Sequence, residues 1–136
     1  MKRSAGLSGL AREHHAALVL AREAQRAATD CAALVARLRA AHAAALEPHF
    51  DIEERLLLPA LEAAGEGAAA ARTRAEHEAL RAALAALDAA DPATLRHYGE
   101  LLQAHVRYED RELFGLAERV LAPALLEAIG AAGTAT

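Results

Sequence analysis

The chain has 136 residues, enough for one buried core and too few to divide comfortably into two. It is 54% hydrophobic, rich in alanine, only 3% aromatic and poor in β-branched residues, which excludes a strand-built domain and leaves helix as the expected state nearly throughout. The net charge of −4, with 15 Lys and Arg dispersed among 19 Asp and Glu, leaves no basic stripe for nucleic acid, and no uncharged apolar run of about 18 residues offers a membrane span. Lys2 and Arg3 are followed by no apolar run of signal-peptide length, so a soluble, cytoplasmic protein is expected. The lone cysteine, Cys31, rules out an internal disulfide and reads as a small helix-packing residue.

The first helix is predicted from about Ser8 to Ala28. Thr29 and Asp30 suit the start of a second, which runs to about Ala64, where Gly65 and Gly67 supply positions tolerant of left-handed backbone. Inside it, Pro48 and Pro59 each remove a hydrogen bond and crowd the preceding turn. A kink rather than a break is expected, because the spacing of Leu46, Phe50, Leu56, Leu57 and Leu61 stays helical through both. A third helix should cover Ala68 to Ala90. Asp91 and Pro92 read as the N-cap and first residue of a fourth, which extends to about Leu121. Beyond Pro123, a short helical piece from Ala124 to Ile129 precedes a frayed tail, Gly130 to Thr136. Short connections force successive helices to lie antiparallel. The expected fold class is therefore all-α: a single domain, built as an up-down four-helix bundle over about residues 7–121, with a short C-terminal helical extension.

Seven histidines stand out in so short a chain, and helical geometry of about 100° per residue shows which of them point with the leucines. His14 lies on the face of Leu7, Leu10, Leu18 and Ala21, whereas His15 turns toward Arg22 and Arg26. In the second helix His49 and Glu53 share a face with Ala45, Leu56 and Ala60, and Glu54 points well off it. His77 faces inward with Thr73, Leu80 and Leu84. His105 and Glu109 repeat the His-x-x-x-Glu spacing among Leu101, Leu102, Leu113 and Leu116. Each helix thus turns one central histidine inward, and two add a glutamate one turn later.

Burying ionised carboxylates among leucines costs several kcal/mol unless a cation or partner is present, and two in one core repel each other. A bound metal resolves both problems. Neutral imidazole suits iron, carboxylates can bridge two cations, and the lack of cysteine ligands argues against a zinc-finger or iron–sulfur site. The candidate ligands are His14, His49, Glu53, His77, His105 and Glu109.

The segments His49-Phe50-Asp51-Ile52-Glu53-Glu54 and His105-Val106-Arg107-Tyr108-Glu109, with Glu13-His14 and Glu76-His77, resemble the hemerythrin HHE cation-binding family over about Leu7 to Leu121. That resemblance implies a four-helix bundle holding two non-haem irons joined by an oxo or hydroxo bridge and two carboxylates. It makes His14, His49, His77 and His105 terminal ligands and Glu53 and Glu109 the bridges. The oxygen carriers of the family place a fifth histidine one turn before the third-helix ligand, where this chain has Thr73. Water, His15 or Glu112 could fill that place, and Asp110 competes with Glu109 as the last carboxylate, although face geometry favours Glu109. His42 lies about 10 Å before His49 along the axis, too far for the same ion. It reads as hydrogen-bonded or superficial, as does His97, and Tyr98 reads as a core residue with a satisfied hydroxyl.

The function these residues imply is reversible binding or sensing of dioxygen, or of a similar small ligand, at a reduced diiron centre. An enzyme acting on peroxide, nitric oxide or dioxygen is the alternative, and an iron-sensing or iron-storage interaction module with an unidentified protein partner is a third reading.

Overall fold

The computed structural model describes residues 5–134, and its elements are all helices: α1 (Ala5–Gln25), α2 (residues 32–63), α3 (Gly67–Ala85), α4 (residues 92–120) and α5 (Pro123–Thr134). They form a helical bundle in which α1 packs along α4 and α5, α4 along α3, and the end of α2 against α3. Among the described residues no helix is long and apolar enough to cross a membrane. Close approach of α1 and α4 is allowed by Gly99, where an added Cβ would stand 2.6 Å from the Ala21 carbonyl oxygen.

Several helix ends differ from those predicted. α1 stops at Gln25, and the Ala27 carbonyl beyond it accepts a hydrogen bond from Arg96 at 2.8 Å. Neither Thr29 nor Asp30 caps α2: Asp30 takes a left-handed φ of 47°, which aspartate tolerates, and Cys31 is the residue before the helix. Gly65 ends α2 with φ of 88° as expected, while Gly67 already belongs to α3. α3 ends at Ala85, five residues before the predicted Ala90. The Asp88 carboxylate accepts from the Ala90 N–H at 2.9 Å and Thr94 Oγ1 accepts from the Asp88 N–H at 2.9 Å, so side chains take backbone groups that helix would otherwise use. Asp91 caps α4 as predicted, accepting from the Ala93 N–H at 3.2 Å.

The C-terminal piece is longer than predicted. α5 stays helical through Gly130 to Thr134, because Gly130 lies directly on Gly6 of α1: a Cβ on Gly130 would meet the Gly6 carbonyl oxygen at 2.3 Å. Leu126 and Ile129 are buried beneath it. Of the tail expected to fray, residues 135–136 lie outside the described residues.

Neither proline breaks α2, and both are accommodated in one way. A π turn, His42–Leu46, precedes Pro48, and a second, Glu53–Leu57, precedes Pro59. The wider turn bonds Glu47 N–H to the His42 carbonyl and Leu58 N–H to the Glu53 carbonyl, one residue further back than in an α-helix. α4 carries a third π turn, Glu109–Leu113, without a proline. Each of the three opens on a buried ionisable residue, His42, Glu53 or Glu109. The extra residue rotates everything downstream. Leu46, Leu57 and Leu61 of the predicted apolar pattern are buried together with Leu58, whereas Ala45, Leu56 and Ala60, expected on the face of His49 and Glu53, are less so, and Phe114 and Ala117 take the place expected of Leu116.

The core falls into two apolar clusters with an ionisable layer between them. One contains Ala17 and Ala21 of α1, Leu38 and Leu46 of α2, Leu80 and Ala83 of α3, and Leu95 and Leu102 of α4. The other contains Leu7 and Leu10, Leu57 and Leu61, Ala70, Leu113 and Phe114, together with Leu126 and Ile129 of α5. Burying one such leucine fully is worth about 1.5–3 kcal/mol, so either cluster can hold its end of the bundle.

Candidate metal centre

In each of the four long helices the sequence crosses the layer once. His14 lies between Leu10 and Ala17, His49 and Glu53 between Leu46 and Leu57, His77 between Ala70 and Leu80, and His105 and Glu109 between Leu102 and Leu113. All six side chains are buried, with Glu53, His77 and Glu109 at 0% exposure.

The four imidazoles are arranged alike. Each turns Nε2 to the centre and Nδ1 outward to a carboxylate on another helix. His14 Nδ1 meets Asp110 at 2.8 Å, His49 Nδ1 meets Glu13 at 2.8 Å, His77 Nδ1 meets Glu54 at 2.7 Å, and His105 Nδ1 meets Glu76 at 2.7 Å. An ionised carboxylate can only accept, so Nδ1 donates and the Nε2 positions are left for the interior. An outer carboxylate that fixes tautomer and ring angle is the arrangement that metal-binding histidines use. The four bonds also close a circuit: α1 braces α2 through Glu13, α2 braces α3 through Glu54, α3 braces α4 through Glu76, and α4 returns to α1 through Asp110. Phe114 stacks on His14 with ring centroids 5.3 Å apart and Phe50 on His77 at 4.0 Å, covering the imidazole faces.

Glu53 and Glu109 occupy the middle. Glu53 turns Oε2 to His49 Nε2 at 3.2 Å and Oε1 to His77 Nε2 at 3.0 Å. Glu109 turns Oε1 to His14 Nε2 at 2.9 Å and His49 Nε2 at 3.3 Å, and Oε2 to His105 Nε2 at 3.3 Å. Two groups of donor atoms result, each drawn together within 4.8 Å: Glu53, His77, His105 and Glu109 in one, and His14, His49 and Glu109 in the other. Glu109 belongs to both.

The residues fit a cation better than they fit one another. Glu53 Oε2, Glu109 Oε2 and His105 Nε2 are fully buried without a hydrogen-bond partner, at a cost of about 1–3 kcal/mol each and more where charged. The electrostatics of the side chains favour protons on the imidazoles. Burial would lower the His14 pKa, but Asp110 and Glu109 raise it to about 9. His105 is raised to about 10, with Glu109 and Glu76 overcoming burial, and His49 is held well above the usual value by Glu53, Glu109 and Glu13 against the same burial. Burial alone would push Glu109 up, yet Glu53, His105 and His14 hold it well below the ordinary carboxylate range. A cation entering the layer therefore displaces protons from imidazoles.

The alternates fall elsewhere. His15 is exposed. Glu112 is 63% exposed and reaches Arg72 at 3.8 Å; the π turn carries it away from the face that a straight helix would give it. Asp110 holds His14 from outside, while Glu109 lies at the centre. Thr73 is buried and donates to the Ala69 carbonyl of its own helix at 2.8 Å. His42 is buried beyond the layer, 2.7 Å from Glu47, and the Tyr98 hydroxyl lies 3.5 Å from its Nδ1. His97 is exposed.

Sequence reasoning gave no role to Glu13, Glu54 or Glu76. The signal was nonetheless there: each outer carboxylate is the immediate neighbour of an inner residue, in Glu13-His14, Glu53-Glu54, Glu76-His77 and Glu109-Asp110. Adjacent residues on a helix diverge by about 100°, so one side chain enters the layer while the next lies along its rim and reaches the neighbouring helix.

A cavity of about 40 Å³ adjoins the layer, walled by Ala17, Leu20, Leu46 and Val106 and reaching His14, His49, His105 and Glu109. A family model, the hemerythrin HHE cation binding domain, matches residues 5–117. No curated protein and no solved structure matches the chain.

Proposed function

We infer that this chain, which belongs to the hemerythrin HHE cation-binding domain family, holds two non-haem irons in its polar layer and binds or senses dioxygen or a similar small ligand there. The observation that carries this reading is the pair of shared carboxylates. Glu53 lies between His49 and His77, and Glu109 between His14 and His105, so each has one oxygen for either of two cations. Four neutral imidazoles and two carboxylates form a nitrogen and oxygen donor set suited to iron. In this reading His14 and His49 would hold one iron and His77 and His105 the other, with an oxo or hydroxo group completing the cofactor. An antiparallel, up-down order of the four long helices belongs to it. Its support is that rising residue number leads from the Leu7 cluster to the Leu102 cluster in α1 and α3, and the opposite way in α2 and α4.

Bound iron would supply reversible electron exchange with dioxygen. The protein's part is to hold and to exclude. Asp110, Glu13, Glu54 and Glu76 fix the four rings through Nδ1, so the Nε2 lone pairs need no reorientation. Phe50 and Phe114 cover the imidazole faces, and the apolar cavity has room for a ligand of a few atoms. Thr73 hydrogen-bonds its own helix and brings no further imidazole, so an outside ligand would have to complete the donor set of bound iron. That shortage favours the second reading, an enzyme that turns over peroxide, nitric oxide or dioxygen. A cytoplasmic setting completes the proposal.

Stopped-flow mixing of the reduced, iron-loaded protein with dioxygen tests it. A lasting charge-transfer band that disappears on deoxygenation is expected. Rapid passage to the oxidised state without such a band contradicts binding or sensing and supports the enzyme. No reaction, with iron still raising the melting temperature, leaves the iron-sensing or storage module.

A further inference from the structure

Two buried ionisable side chains, Tyr98 and His42, lie beyond the polar layer at the Leu102 end. The π turn that opens on His42 sets their surroundings. In a regular helix, side chains five residues apart diverge by about 140°, but the wider turn bonds the Glu47 N–H to the His42 carbonyl and brings the two side chains together. Glu47 Oε2 lies 2.7 Å from His42 Nε2. Arg81 donates to both Glu47 oxygens, at 2.7 and 3.3 Å, so this carboxylate accepts and His42 Nε2 carries a proton. Nδ1 then offers its lone pair to the Tyr98 hydroxyl, 3.5 Å away. Burial, which pushes the Tyr98 pKa up to about 12, keeps the phenol protonated at rest. The other tyrosine of the chain, Tyr108, is placed differently. Its hydroxyl faces Thr73 Oγ1 at 3.5 Å and the Ala69 carbonyl at 3.4 Å, neither of them a base, and the Arg72 guanidinium lies 3.8 Å from its ring centroid. From His42, ring contacts lead to the layer: Phe50 meets His42 edge-on with centroids 5.8 Å apart and stacks on His77 at 4.0 Å.

We propose that Tyr98 is a redox-active tyrosine that gives one electron to the layer past Phe50 while His42 takes its proton. The phenol–imidazole pair stands on its own geometry, and delivery to the layer rests on the iron reading above. Loss of an electron alone would leave a buried radical cation, which a low dielectric penalises, whereas loss of the proton with it leaves a neutral phenoxyl. The Tyr98 O–H bond breaks, the proton bonds to His42 Nδ1, and the new imidazolium keeps its Nε2–H on Glu47. The electron goes to hydrogen peroxide reduced at the layer. Peroxide takes two electrons and two solvent protons to become water. Where one iron is ferrous and the other ferric, the ferrous ion supplies one electron and Tyr98 the second. Return of an electron, with the proton from His42, restores the phenol. Tyr108 has no such base, and the cation over its ring opposes removal of an electron.

Freeze-quench electron paramagnetic resonance of the full-length, half-reduced iron-loaded chain mixed with hydrogen peroxide tests it. A phenoxyl signal is expected, absent in Tyr98→Phe, retained in Tyr108→Phe, and slower to appear in deuterium oxide. His42→Gln should slow its appearance at least about 100-fold, the scale of a positioned proton acceptor, and abolish the deuterium effect. A second readout needs no iron. With His15→Ala, His97 is the one exposed histidine, and a ruthenium photo-oxidant coordinated to it should produce the Tyr98 phenoxyl in the metal-free chain with the same dependence on His42. A signal lost in Tyr108→Phe instead of Tyr98→Phe, or a rate unchanged in His42→Gln with either oxidant, would overturn the phenol–imidazole pair. A phenoxyl from photo-oxidation but none from peroxide, with iron bound, would overturn delivery to the layer. A chain that binds no iron yet yields the His42-dependent phenoxyl on photo-oxidation would overturn the proposed function and support the pair.

Discussion

At the Leu102 end and at the Leu57 end of the bundle, buried side chains are mainly apolar, with His42 near the Tyr98 hydroxyl at the first and Thr73 near the Tyr108 hydroxyl at the second as the polar exceptions. In the layer between, six ionisable side chains are buried as deeply, and three of their polar atoms have no hydrogen-bond partner. The ends gain from burial directly, at about 25 cal/mol per Å² of apolar surface removed from water. The layer gains only if positive charge enters it, as protons or as metal. A helical bundle of this length could be built from ends alone; the π turns of α2 and α4 that begin at Glu53 and Glu109 put irregular backbone where the two central carboxylates sit.

Glu109→Ala should break the contrast most severely. Its carboxylate serves both donor groups, so metal content should fall from two ions per chain to one or none, with affinity lost by more than about a hundredfold; elemental analysis after desalting reads this directly. Leu61→Ala, at 0% exposure in the apolar end, should do the converse. It should cost about 2–5 kcal/mol in denaturant unfolding and leave the metal-to-protein ratio of the folded chain unchanged.

The pH dependence separates the regions next. His14 and His105 have folded pKa values of about 9 and about 10, above the 6.5 of an unfolded chain. Their contribution to the metal-free fold is therefore complete below about pH 6.5 and lost as pH rises through about 9 to 10, while Glu109, held low, contributes above about pH 4.5 and fails in acid. Unfolding of the metal-free protein should thus be hardest between about pH 4.5 and 6.5. Metal affinity should run the other way and rise from pH 6 toward 9, because protons leave the imidazoles as the cation enters. The smallest effect is expected of His15→Ala and Glu112→Gln, which touch neither region and should leave stability within about 0.5 kcal/mol and metal content unchanged.

What the sequence disclosed and what it hid divide along the same line. Helix number and the inward set His14, His49, His77 and His105 follow from a period near 3.6, which survives wherever the helix is regular. Asp91-Pro92 marked the start of α4 because a cap is a local signal. The π turns are not local in that sense. Nothing in Glu109–Leu113 announces one, and a straight helix misassigned Glu112 and passed over Phe114 for that reason. The outer carboxylates were hidden by looking along each helix for partners when every one of them reaches across to another. Gly130 could be read as a fraying signal until α1 supplied Gly6 beneath it.

The most direct test is the iron content of the metal-free chain after anaerobic reconstitution with Fe(II) and desalting, measured together with the melting temperature. Two irons per chain and a raised melting temperature are expected, with His77→Ala and Glu53→Ala each losing at least one iron. Retention of no iron, or the same iron content in the parent chain and both variants, would contradict a layer built to hold a pair of cations.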